Sequence, residues 1–212
     1  IVPETVTAGA DQPFELWFEA GPHGVPAHSE ILFYTMGQNP LGTRPRRGAP
    51  MAPGAIELRH DGGADIHPLE RPDTRRTPAD AREGKAPPRG TSLGFRVGER
   101  PLAAGERVTL SVGQSGGFPW TPLAGRKEFK VLVDPGFGEA VMRLPEPVVM
   151  TVQPDHAEAI EILAPATAAP GETLEVTIRL HDRHDNRVPA ETALRVTHNG
   201  RARNILLRNG LA

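Results

Sequence analysis

The chain has no cysteine. That excludes a disulfide framework, a zinc–thiolate centre and a thiol nucleophile. No apolar run approaches the roughly 18 residues a helix needs to span a bilayer. Neither sign of charge dominates: 24 Lys and Arg face 26 Asp and Glu, for a net charge of −2. Such balance leaves no electrostatic footprint for nucleic acid or an anionic membrane, and neither is expected as a partner. Serine is scarce, and none of Ser29, Ser92, Ser111 and Ser115 sits in Gly-x-Ser-x-Gly. No Ser–His–Asp order can be argued, and P-loop and Gly-x-Gly-x-x-Gly motifs are missing. Large aromatics with a polar handle number three: Trp17, Trp120 and Tyr34.

What is present is strand and turn. Glycine and proline number 23 each among 212 residues. They are too scattered for a collagen-like chain and suit many turns between short strands. One phrase occurs twice. Ala104-Gly105-Glu106-Arg107 leads into Val108–Val112, and Pro170-Gly171-Glu172-Thr173 leads into Leu174–Leu180. Each is a turn followed by apolar/polar alternation, which buries one face of a strand and wets the other. Further strands are expected at Phe14–Ala20, Ile31–Met36, Ala55–Arg59, Leu93–Val97, Phe129–Val133 and Val148–Val152. Ala159–Leu163, Thr192–Thr197 and Asn204–Leu207 follow. Residues 38–54 and 60–90 are rich in Pro, Gly and Arg and read as long surface loops. Pro78–Lys85 has no apolar stripe and reads as loop rather than helix.

The fold expected is all-β: a β-sandwich over 1–152, then a truncated immunoglobulin-like β-sandwich module over 153–212. The second module offers about four strands where such a sandwich needs about seven. The chain opens at Ile1, and Asn209-Gly210 is a hairpin-turn signal after which a returning strand is expected. The sequence therefore reads as an internal piece of a longer polypeptide.

Two polar groups could carry metal chemistry. His60, Asp65 and His67 lie within His60-Asp61-Gly62-Gly63-Ala64-Asp65-Ile66-His67. Imidazole nitrogen and carboxylate oxygen suit zinc or manganese. The spacing fits no metal motif, and Asp-Gly-Gly is also an ordinary turn. His181, Asp182, His184 and Asp185 form a denser group. Asp and Asn also bond their own backbone in tight turns, so an ordinary loop between strands accounts for it better than a calcium or transition-metal site. Glu15 and Glu19 share the wet face of one strand, where solvation explains them more simply than glycosidase chemistry. Trp17 points away from Leu16 and Phe18; an exposed tryptophan there can stack on a sugar ring, though such a residue is more often half-buried under a loop. Trp120 reads as a plug within a loop.

Several phrases resemble a known family. They are Thr5–Gly9, Phe14–Ala20, Gly21–Val25, Pro101–Glu106, Gly113–Gly117, Phe129–Asp134 and Leu144-Pro145. Pro165–Pro189 closes the series, with Asp182-Arg183-His184-Asp185-Asn186 in place of an Asp-x-x-Gly-Asn turn. Together they resemble a bacterial family of unknown function. In it an N-terminal β-sandwich region precedes a PHP-like metal-dependent hydrolase domain. The resemblance covers most of the chain outside the two long loops. It implies a catalytic half that opens with a Gly-Asp-x-His-type motif, and no such motif occurs in this sequence. No catalytic residue carries over, and no cofactor is expected in this fragment. The function expected is a non-catalytic accessory region packed on an adjoining domain of the same polypeptide. The alternative, from another class, is a carbohydrate- or surface-binding module.

Overall fold

The computed structural model describes residues 1–35, 55–69, 92–136, 141–167, 169, 171–173, 175–198 and 200–209. All their regular structure is strand. In chain order the strands are β1 (Thr5–Thr7), β2 (Phe14–Glu19), β3 (Glu30–Thr35), β4 (Ile56–His60), β5 (Ile66–Pro68), β6 (Ser92–Val97) and β7 (Arg107–Val112). Then come β8 (Gly125–Asp134), β9 (Met142–Arg143), β10 (Val148–Gln153), β11 (Ala159–Leu163), β12 (Thr177–His181), β13 (Thr192–His198) and β14 (Arg201–Leu207). The chain divides into two compact units, Ile1–Val152 and Gln153–Ala212. The expectations for Met36, residues 38–54, Pro78–Lys85 and Leu174 fall outside the described residues.

The first unit has two sheets around one core. The larger runs β1-β10-β8-β3-β6-β5, with β9 also on β8; the smaller runs β2-β7-β4. Alternation explains the packing. In β2, Phe14, Leu16 and Phe18 are buried while Trp17 and Glu19 are exposed. Antiparallel pairing sets them beside Val112, Leu110 and Val108 of β7. From the other sheet, Ile31, Phe33, Phe95, Val97, Phe129, Val131 and Met150 join the same cluster. Two sheets closing on shared apolar faces are compatible with a β-sandwich. Phe14 touches both layers: its ring lies 6.5 Å from Phe129 in β8, 5.4 Å from Phe118 and 4.9 Å from Trp120. Trp120 is 2% exposed, and its indole N–H donates to the Gln12 carbonyl at 3.0 Å. It plugs the sandwich from the loop between β7 and β8.

Some strands differ from their sequence patterns. β8 starts at Gly125 because β10 pairs with Gly125–Phe129, giving a polar stretch a backbone ladder that alternation does not advertise. β5 lies within the segment expected to be loop. It pairs with β6 at the sheet edge, where Pro68 has no amide to lose from a ladder. β12 begins only at Thr177, because β11 supplies five partners and no more.

The repeated phrase makes the same turn twice. Gly105 and Gly171 have φ of 79° and 84°, the left-handed backbone that glycine takes freely. The Glu106 amide donates to the Ala103 carbonyl at 3.1 Å, and the Ala103 amide donates to the Glu106 carboxylate at 2.8 Å. Glu172 and Ala169 repeat both bonds at the same two lengths. The glutamate thus returns its side chain to the residue that opens the turn. Only the first copy runs straight into a strand.

The second unit is thinner. β11 pairs with β12, and β13 with β14 as a hairpin. Among the described residues its buried apolar side chains are Ile178, Leu180 and Leu207. Half-buried Val188, Ala190, Leu194, Val196 and Ile205 pack against them.

Phe14→Ala should cost the first unit about 3–5 kcal/mol, since it opens a cavity shared by both sheets. Denaturant unfolding followed by tryptophan fluorescence measures it. A loss below about 1 kcal/mol would show that Phe14 does not tie the layers.

Candidate functional site

The first histidine group is split between two sheets. His60 ends β4 in the smaller sheet, opposite Val108, and its side chain is exposed. Asp65 and His67 belong to the edge of the larger sheet. There His67 Nε2 lies 3.1 Å from Asp65 Oδ1. The Asp65 carbonyl accepts the Gly98 amide at 2.6 Å. The turn between His60 and Asp65 is held by other residues. Asp61 Oδ1 accepts the Arg107 amide at 2.7 Å, and Glu106 Oε1 accepts the Gly63 amide at 2.8 Å. A Cβ on Gly62 would meet the Glu106 carboxylate and displace that side chain from its bond to Gly63. Glu106 therefore bridges two turns. The repeated Gly-Glu phrase signals the Ala103–Glu106 turn but not the reach to Gly63, which the sequence does not show.

The second group is one tight loop after β12. Asp182 is 3% exposed, and its carboxylate organises the loop. Oδ1 accepts the amides of His184 at 2.9 Å and Asn186 at 2.8 Å. Oδ2 accepts the Asp155 amide and the Asn186 side-chain amide, both at 2.9 Å. A carboxylate has about four lone-pair positions. These four donors fill them, which leaves none for a cation. Burial, the largest single influence on the Asp182 carboxyl, pushes it up. The bonds from Asn186, Asp155 and His184 together outweigh burial and hold it below the usual carboxylate range.

His181 points its two ring nitrogens at different partners. Nε2 lies 3.2 Å from Glu161 Oε2, and Nδ1 lies 3.1 Å from Asp185 Oδ1. Arg183 Nε–H donates to His184 Nε2 at 3.2 Å. Asp185 has φ of 65°, so it adopts the left-handed backbone that the glycine of an Asp-x-x-Gly-Asn turn would take. Upstream, His156 Nδ1 lies 3.0 Å from Asp155 Oδ1, and that hydrogen bond raises the His156 imidazole and lowers the Asp155 carboxyl. Among the described residues, no three His, Asp or Glu side chains converge as a metal site.

Trp17 occupies a different setting. It is 43% exposed on the outer face of the β2-β7-β4 sheet. The Arg107 guanidinium carbon lies 4.6 Å from its ring centroid, a cation–π contact. Arg107 is itself anchored on Glu19 Oε2 at 2.8 Å. Glu15 Oε1 accepts from Ser111 Oγ at 2.8 Å and from Gln114 Nε2 at 3.3 Å.

No protein-family model, curated protein or solved structure matches the chain.

Asp182→Ala should destabilise the second unit by about 2–3 kcal/mol, because it strands buried amide donors. The folded carboxyl lies below its unfolded value, so its contribution is present above about pH 3.9 and is lost as pH falls through the lowered value. Hydrogen exchange at the Ile178 and Leu180 amides should show the gap between wild type and Asp182→Asn narrowing below pH 3.9. An equal gap at all pH values would contradict the role given to the carboxylate. Asp185→Gly should change stability by less than about 1 kcal/mol, as relief of the left-handed backbone offsets the lost His181 contact. A large loss by the same exchange measurement would contradict that balance.

Proposed function

We propose that the chain is a non-catalytic accessory β-sandwich region of a larger, metal-dependent hydrolase. In this reading, residues 153–212 are an incomplete immunoglobulin-like module that packs on an adjoining domain of the same polypeptide. One observation carries the proposal. The inward face of the β11–β12 sheet is apolar across both strands, but covered on only one. Ile160 pairs with Leu180 and Ile162 with Ile178, so all four side chains share that face. Ile178 and Leu180 are 4% and 5% exposed, whereas Ile160 and Ile162 are 53% and 63% exposed. Leu163 and Val176 are exposed nearby in sequence. Two uncovered isoleucines beside two buried partners are the pattern of an interface awaiting a layer of protein. The resemblance to the bacterial hydrolase-linked family supplies the identity of that layer. The left-handed φ of Asp185 is compatible with the glycine that the resembled Asp-x-x-Gly-Asn turn carries at that position.

The test compares this chain with the polypeptide that contains it. Ile160→Glu with Ile162→Glu should leave the 212-residue chain folded and its melting temperature unchanged. In the longer polypeptide the pair should cost about 2 kcal/mol per isoleucine, the value of burying such a side chain. Hydrolysis of chromogenic esters and phosphate esters with added Mn²⁺ should appear only in the longer form. It should survive His67→Ala and His184→Ala. Metal-dependent hydrolysis by the 212-residue chain alone, lost on either substitution, would overturn the reading.

A further inference from the structure

The outer face of the β2-β7-β4 sheet holds a feature that the accessory reading does not use. The cross-strand register arranges it in rows. Glu15, Ser111 and Glu57 form one row; Trp17, Thr109 and Arg59 form the next. Glu19 and Arg107 form a third. Strands here lie about 4.8 Å apart, so the accessible side chains make a grid of donors and acceptors around one indole, while Ser111 is buried and serves only to hold Glu15. Val2 bridges to Glu15 and is exposed beside this grid.

Three properties of the grid point to one ligand chemistry. First, the indole is held in place. Arg107 stacks on it at 4.6 Å and is tied at 2.8 Å to Glu19, so little side-chain freedom is left for a ligand to remove. Second, each carboxylate is only half used. Glu15 Oε1, Glu19 Oε2 and Glu57 Oε2 have partners, the last at 3.3 Å from Arg59 Nη2. The second oxygen of each has no partner among the described residues. Third, the face is acidic, with three carboxylates against two guanidinium groups. That charge rejects a polyanion and suits a neutral ligand rich in hydroxyl donors. The apolar area is a single indole with a valine beside it, too small for the apolar core of a protein interface.

We propose that this face binds a neutral pyranose oligosaccharide. One sugar ring stacks its C–H face on Trp17, and its hydroxyls donate to the open oxygens of Glu15, Glu19 and Glu57. The sugar takes the indole face opposite Arg107, and the Arg59 guanidinium donates to its hydroxyl oxygens. The proposal is independent of the hydrolase reading, because it concerns the first unit alone.

Tryptophan fluorescence reads it directly. The chain has two tryptophans, and Trp120 is 2% exposed, so a ligand at the surface reports through Trp17. The intact chain is titrated with cellohexaose, mannohexaose and xylohexaose. At least one should give a saturable change in emission. Trp17→Ala should weaken its binding, measured calorimetrically, by about tenfold or more. Trp17→Phe should restore part of the loss, and Glu15→Gln should weaken binding about threefold. The melting temperature of each variant should match wild type, which separates lost binding from lost folding. No binding of any of the three sugars at millimolar concentration would overturn the proposal. So would binding that survives Trp17→Ala, or tighter binding of heparin than of the neutral sugars.

Discussion

The first unit depends on one contact across its two layers. Phe14 belongs to the smaller sheet and Phe129 to the larger, and their rings lie 6.5 Å apart. Phe118 and Trp120 close the same cluster from the loop between β7 and β8. Such aromatic sets contribute through large buried area and through edge-to-face geometry. With that cluster in place, β2 and β7 must turn Trp17, Glu15, Glu19 and Thr109 outward, because side chains alternate along a strand. The proposed sugar face is thus a consequence of the core. What the sandwich hides on one side dictates what it displays on the other.

The second unit lacks such a contact. Its core rests on Ile178, Leu180 and Leu207, with no aromatic among them. Polar bonding supplies local order instead, and Asp182 is its centre, holding the loop after β12 and the Asp155 amide together. A buried carboxylate with all its acceptor positions filled is a structural fixture. Ile160 and Ile162 stay exposed on the face whose Ile178 and Leu180 are buried, and in the proposed reading an adjoining domain covers them.

Much of the architecture was legible in the sequence where alternation is strong. Phe14–Glu19, Arg107–Val112 and Ala159–Leu163 form strands because every second residue is apolar or the run is rich in isoleucine and valine. β5 and the polar start of β8 were not legible, since they exist only through pairing with β6 and β10. Among candidate residues, the outward orientation of Trp17 follows from its parity against Leu16 and Phe18. The separation of His60 from Asp65 and His67 does not, because sequence proximity conceals a change of sheet between β4 and β5. The dual role of Glu106 was equally hidden: its partner Gly63 lies 43 residues away.

The account rests on the claim that the β11 face is made to be covered. Amide hydrogen exchange across Ala159–Leu163 tests this most directly, comparing the 212-residue chain with the longer polypeptide that the proposed function requires. The account predicts that exchange at Ile160 and Ile162 slows by about tenfold or more in the longer form, while Ile178 and Leu180 change little. Equal exchange rates in the two forms would contradict it.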